Sequence, residues 1–198
     1  MSTTSQKSRG GRVPGAEARQ RIEEAAARLL TRVPFRELTV DAVMAEAGLA
    51  RTVFYRHFTG LPQLLVARLE DLREALTRAG DPLAPGYTEA VLRRAVEVFA
   101  EHGAILRAID DAARRDADVE AAYREFTEWA IDATTQLFDL GVEAGNLEAF
   151  DTANVARALT LLNRAYLLDT LTGDRPEDPE LVLRTLMTIW KRTLDIES

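Results

Sequence analysis

The chain reads as an all-α protein, a small N-terminal three-helix unit followed by a larger helical bundle, with about nine helices in all. Three observations predict this. Apolar residues recur at the three-and-four spacing of a helical face in segment after segment, and no stretch shows period-two alternation. Only 11 Gly and 7 Pro occur in 198 residues, which suits a mainly helical protein. The stretch Thr39–Phe58 spells two short helices joined by a tight turn.

Residues 1–15 carry Lys7, Arg9 and Arg12 among Ser, Thr and Gly, with too few apolar groups to fold alone. Such a segment is either an inert tail or a basic arm that adds DNA contacts. Helix 1 is expected over Ala16–Arg32 with Ile22, Ala26, Leu29 and Leu30 as its stripe. Pro34 ends it, and Phe35 and Leu38 plug a small core. Thr39 caps helix 2, whose buried face is Val40, Val43, Met44 and Ala47. Gly48 takes the left-handed turn, and helix 3 starts near Ala50 or Arg51 with Phe54 and Phe58 inward. Helix 4, about Leu61–Ala79, places Pro62 in its first turn and a stripe of Leu61, Leu65, Leu69, Leu72 and Leu76 on one side. Gly80–Gly86, with two prolines and two glycines, is the clearest break. Helices are then expected over Thr88–His102, Ala104–Arg114, Asp118–Ala144, Thr152–Thr172 and Glu180–Asp195. The resulting division is a basic arm over 1–15, a helix-turn-helix domain over 16–60, and a larger helical domain over 61–198.

Composition and charge exclude several functions. There is no Cys, which removes disulfides, thiol catalysis and thiolate metal sites. His57 and His102 are the only histidines and lack ligand spacing, so no metal or cofactor is expected. No nucleophile elbow or phosphate-binding glycine loop is present, and an enzyme is not expected. No apolar run approaches the length of a membrane span and no hydrophobic leader opens the chain. A soluble, cytoplasmic protein without membrane partners is the expectation. The net charge of −7 is unevenly spread: residues 1–58 sum to +4 and residues 59–198 to −11. A basic end suits phosphates, while an acidic remainder suppresses non-specific binding.

The pair of helices in Thr39–Phe58 is a helix-turn-helix pattern whose second helix fits a DNA major groove. Thr39 caps a helix whose free N–H groups can face a phosphate. Arg51 can pair with guanine or hold a phosphate, and Thr52 can reach a base edge. Val53, Tyr55, Arg56 and His57 complete the expected DNA-contact set. For Tyr55 and His57, packing on the rim of the small core is the competing role.

These residues carry a resemblance. Thr39-Val40, Ala45-Glu-Ala-Gly-Leu49, Arg51, Phe54-Tyr55 and His57-Phe58, followed by a long leucine-bearing helix, are together similar to the tetracycline-repressor (TetR) family of bacterial regulators. Three positions depart from that pattern. Ala50 stands where the family usually has a capping Ser, Val53 where Thr is common, and Leu61 where a phosphate-binding Lys is usual. From about Val96 to Trp190 the chain resembles the family's EthR branch. That likeness rests on Val119-Glu-Ala-Ala-Tyr-Arg-Glu-Phe126, Ala158-Leu-Thr-Leu-Leu-Asn-Arg164, Gly173 and Ile189-Trp190.

The resemblance implies a homodimer that binds double-stranded operator DNA, most simply as a repressor released by a small apolar ligand. It implies a tunnel along the bundle, with Asn163 binding a polar group of the ligand and Phe99, Tyr123, Phe126, Trp129 and Tyr166 as walls. Trp129 lies one residue from the branch's tunnel Trp. Spacing alone leaves open whether Asn163, set among Leu159, Leu162, Tyr166 and Leu167, meets a ligand or the backbone of a neighbouring helix. The resemblance also implies that the last two helices pair across a two-fold axis, with Leu161, Leu168, Leu183, Leu186 and Trp190 in the interface. The alternative is a dimeric DNA-binding regulator without an effector.

Overall fold

The computed structural model describes residues 14–77, 82–173 and 175–194. Among the described residues the chain forms eight α-helices and one 3-10 turn, with no strand. They are α1 (Gly15–Leu30), the 3-10 turn (Phe35–Glu37), α2 (Val40–Ala47), α3 (Arg51–Phe54), α4 (Leu61–Leu76), α5 (Tyr87–Ala113), α6 (Ala117–Glu143), α7 (Thr152–Leu171) and α8 (Pro179–Leu194). The expected arm lies outside the described residues apart from Pro14 and Gly15, as do Gly80 and Asp81 of the expected break and Asp195 at the expected end of the last helix.

The small N-terminal core forms where α1 covers α2 and α3. Ile22, Ala26, Val43, Met44, Phe54 and Phe58 are buried there, as the helical spacing demands. Each end of α2 is closed by a side chain. The Thr39 hydroxyl accepts from the Ala42 N–H at 3.1 Å. At the other end Gly48 adopts φ 67°, ψ 35°, and Arg21 of α1 donates to the Ala47 carbonyl at 2.7 Å. That contact satisfies an orphan helix carbonyl and locks α1 to the turn.

α3 is shorter than expected. Its regular part ends at Phe54, and Arg56 and His57 make tight bonds back to Val53 and Phe54. Ala50 offers no side-chain cap, and Thr52 and Val53 are poor helix formers. Phe58 is nonetheless buried, because its N–H reaches the Phe54 carbonyl at 2.9 Å and keeps the helical spacing.

The helices expected over Thr88–His102 and Ala104–Arg114 run on within α5 as two helical segments that meet at a kink, where His102 is non-helical (φ −110°, ψ 17°). The bend falls where the sequence suggested a junction. Gly103 next to it lies close to α7: a Cβ built there would stand 3.1–3.3 Å from Thr172 side-chain and backbone atoms. Absence of a side chain lets α5 close onto the end of α7.

α4 joins the two parts. Arg68 on it pairs with Asp71 at 2.7 Å and lies 3.9 Å from the buried Glu23 of α1, which Arg19 also holds. In the bundle, Leu92, Val96, Phe99, Ile109, Val119, Phe138, Leu159 and Leu167 are buried. Asp116 caps α6 by accepting from two N–H groups, and Asp151 caps α7. The Asn154 side chain and backbone N–H hold the Asp151 carboxyl below its usual range.

The last helix corrects part of the expected interface. Leu183, Leu186 and Trp190 are 3%, 0% and 2% exposed within a single chain. The Trp190 indole meets Phe138 at 5.6 Å between ring centres. These three side chains belong to the chain's own core, because the inner face of α8 lies against α5 and α7 and has no surface left for a partner.

Candidate DNA-binding face and effector cavity

The helix-turn-helix presents a continuous polar edge. Thr39, Arg51, Thr52, Tyr55 and Arg56 are exposed, while Val53 and His57 are half-buried. Val53 packs against the small core, which is why a β-branched apolar residue is accommodated there. Arg51 is not free on this edge. One of its terminal nitrogens lies 2.6 Å from both carboxylate oxygens of Asp41, and the other donates to the Tyr55 hydroxyl at 3.2 Å. Those hydrogen bonds and the nearby Asp41 charge favour its protonated form further. Asp41 on α2 thus orients the guanidinium of α3, and Arg51 in turn fixes the Tyr55 ring. The sequence reading gave Asp41 no role, although its place in the first turn of α2 put it beside the start of α3.

A second feature lies in the bundle. A cavity of about 380 Å³ opens between the end of α4, the first half of α5, and the middle of α6 and α7. Phe99, Phe126, Trp129 and Asn163 line it, as expected, with Val91, Leu92 and Leu137 adding apolar wall. The volume is that of a small-molecule site. Asn163 already has a partner, since its Oδ1 accepts from Trp190 Nε1 at 3.2 Å. Its amide N–H groups are left for the cavity. Trp129 stacks beneath Arg73 of α4 at 5.2 Å, which ties the cavity wall to that helix.

Two expected wall residues are displaced. Tyr123 and Tyr166 are not on the cavity surface. Tyr123 turns into the core, 6% exposed, and burial pushes its phenol pKa up. Tyr166 packs, half-buried, against the core cluster. Tyr123 shares the helical face of the lining residues Phe126 and Thr127 but lies one turn beyond the end of the cavity, whereas Tyr166 is rotated about the axis of α7 away from the lining residues Asn163, Arg164 and Leu167. Arg164 does line the cavity, and the sequence reading gave it no role.

Two family models match this chain. Residues 22–67 match the one described as bacterial regulatory proteins, tetR family, and residues 88–194, more than half the chain, match the C-terminal domain of the transcriptional regulator EthR. The chain belongs to the TetR family. Within it, the chain is 26% identical over 195 residues to the HTH-type transcriptional regulator EthR of Mycolicibacterium smegmatis, covering 94% of this chain and 90% of that one. It is 29% identical over 192 residues to EthR of Mycobacterium tuberculosis H37Rv, covering 92% and 89%. Among solved structures, GusR of Salmonella enterica superposes with a TM-score of 0.74 at 20% identity, covering 90% of this chain and 95% of that one. A tetR-family regulatory protein from Rhodococcus RHA1 gives 0.74 at 18%, covering 92% and 99%. At such identities these two show the fold alone.

Membership makes this TetR-family chain a DNA-binding transcriptional regulator rather than an enzyme. Among its described residues no helix is long and apolar enough to cross a membrane, and no cluster of His, Asp or Glu could hold a metal.

Proposed function

We propose that this regulator is a cytoplasmic homodimeric repressor that releases its operator when a small, largely apolar effector occupies the α4–α7 cavity. The observation that carries this is the position of the cavity against α4. Leu76 and Thr77, at the end of that helix, line it, while Arg68 near the middle reaches toward Glu23 of α1. A ligand wedged against one end of α4 therefore bears on the helix-turn-helix at the other. The effector acts by population shift: it favours the arrangement that cannot fit adjacent grooves only through its higher affinity for that arrangement.

The exposed face of α7 supports the dimer. Of six large apolar side chains that stay exposed among the described residues, Leu161 and Leu162 lie on α7 and Leu181 on α8. Ala158, Ala165 and the half-buried Leu168 extend the stripe along α7. A two-fold dimer through this face would set two α3 edges against half-sites about 34–36 Å apart. Genomic binding-site capture followed by gel shift on the recovered DNA tests the reading. Retarded DNA that is released by a compound raising the protein's melting temperature supports it. Retarded DNA with no compound producing release leaves a regulator without an effector, and failure to retard any DNA rejects it.

A further inference from the structure

The cavity has one charged side chain on its wall, Arg164, and no carboxylate. Several other arginines are paired with carboxylates, Arg51 with Asp41, Arg114 with Asp110 and Arg157 with Glu128. Arg164 has no such partner among the described residues. Its Nε is buried without an acceptor. One Nη approaches the Thr127 hydroxyl at a long 3.5 Å, and that hydroxyl spends its own proton on the Tyr123 carbonyl at 2.9 Å. The guanidinium lies over the Tyr123 ring at 5.2 Å, which steadies the cation without supplying a negative charge.

Its neighbours supply no negative charge. The buried Tyr123 hydroxyl lies off the cavity wall and can offer Arg164 only a neutral oxygen. Asn163 has committed its oxygen to Trp190 and keeps only N–H groups for the cavity. On the cavity wall this corner therefore carries a positive charge and the Asn163 N–H groups, with no carboxylate. Leaving buried donors unmet is costly, and a fork of N–H groups matches a carboxylate with two parallel bonds.

We propose that the effector is a monocarboxylate with an apolar body, its carboxylate on Arg164 and its body against Phe99, Phe126 and Trp129. A single guanidinium matches a single negative charge, and a phosphate dianion would bring a second charge with nothing on the wall to neutralise it. The assignment rests on the cavity being the effector site.

Titration calorimetry on the full-length protein, with decanoate and decan-1-ol at submicellar concentration, tests it. Decanoate should bind about tenfold or more tightly than the alcohol. Arg164→Gln should abolish that preference while leaving the alcohol's affinity unchanged, and Arg164→Lys should retain part of it. Equal binding of the two compounds, or tighter binding of the alcohol, overturns the carboxylate assignment and leaves the effector cavity standing. Unchanged decanoate affinity in an Arg164→Gln protein of normal helicity overturns it too. If neither compound binds or raises the melting temperature, the effector-cavity reading falls and the carboxylate assignment with it. The wild-type comparison decides on its own should Arg164→Gln fail to fold.

Discussion

Arg51 and Asn163 are the two residues whose surroundings most change what their identity suggests. Arg51 is held by Asp41 and braces Tyr55, so any DNA contact made by one of these side chains is coupled to the other through one guanidinium. If Arg51 reads a base, Arg51→Ala should weaken operator binding by ~1–3 kcal/mol and relax specificity; if the Tyr55 hydroxyl meets a phosphate, Tyr55→Phe should weaken all sequences about equally. Gel shifts on operator and scrambled duplexes check this, and unchanged affinity for both variants would remove α3 as the reader. Asn163 takes a partner on a neighbouring helix that spacing could not name, the Trp190 indole. Asn163→Leu strands that N–H, so thermal melts should show a loss of ~1–3 kcal/mol. The sequence made Asn163 conspicuous as an amide on an apolar stripe. Its partner lies 27 residues away on another helix, and helical phase does not specify such a pairing.

At the scale of elements, caps and breaks were the legible part. Thr39, Gly48 and Pro62 occupy the positions their chemistry dictates. The short α3 shows what happens when one such signal is missing. Ala50→Ser should restore the cap and add about 1 kcal/mol, read from chemical denaturation. No gain would mean that packing of Phe54 and Phe58 already fixes the helix start. The junction within α5 at His102 was legible, whereas the close approach of Gly103 to Thr172 was not, because that contact is long-range. His102 in that bend carries a pH dependence. Burial, opposed by Glu101 and aided by Arg68 and Arg94, lowers its pKa below the ordinary 6.5. The unfolded chain then binds the proton first, so stability is full above pH 6.5 and declines as pH falls from there through the folded value. Melting curves across that range should slope this way for the wild type and run flatter for His102→Asn.

Across the whole molecule, α8 shows the limit of reading apolar residues from sequence. A helix with apolar groups around much of its girth must bury them somewhere, and periodicity does not say whether in its own core or against a second chain. The inner face of α8 went to the core, where Trp190→Glu should unfold the protein rather than yield a monomer, since the carboxylate would sit against Phe138. The face still open is Leu161 and Leu162, at 37% and 40% exposure, with Leu181 at 45%. Leu161→Glu places like charges near each other across a two-fold axis and desolvates them in the dimer, while the isolated chain keeps the carboxylate in water. Light scattering should therefore find a folded monomer with helicity close to that of the wild type. Operator affinity should collapse with it, because one recognition unit makes half the phosphate contacts of two. A Leu161→Glu protein that stays dimeric would move the interface off the outer face of α7.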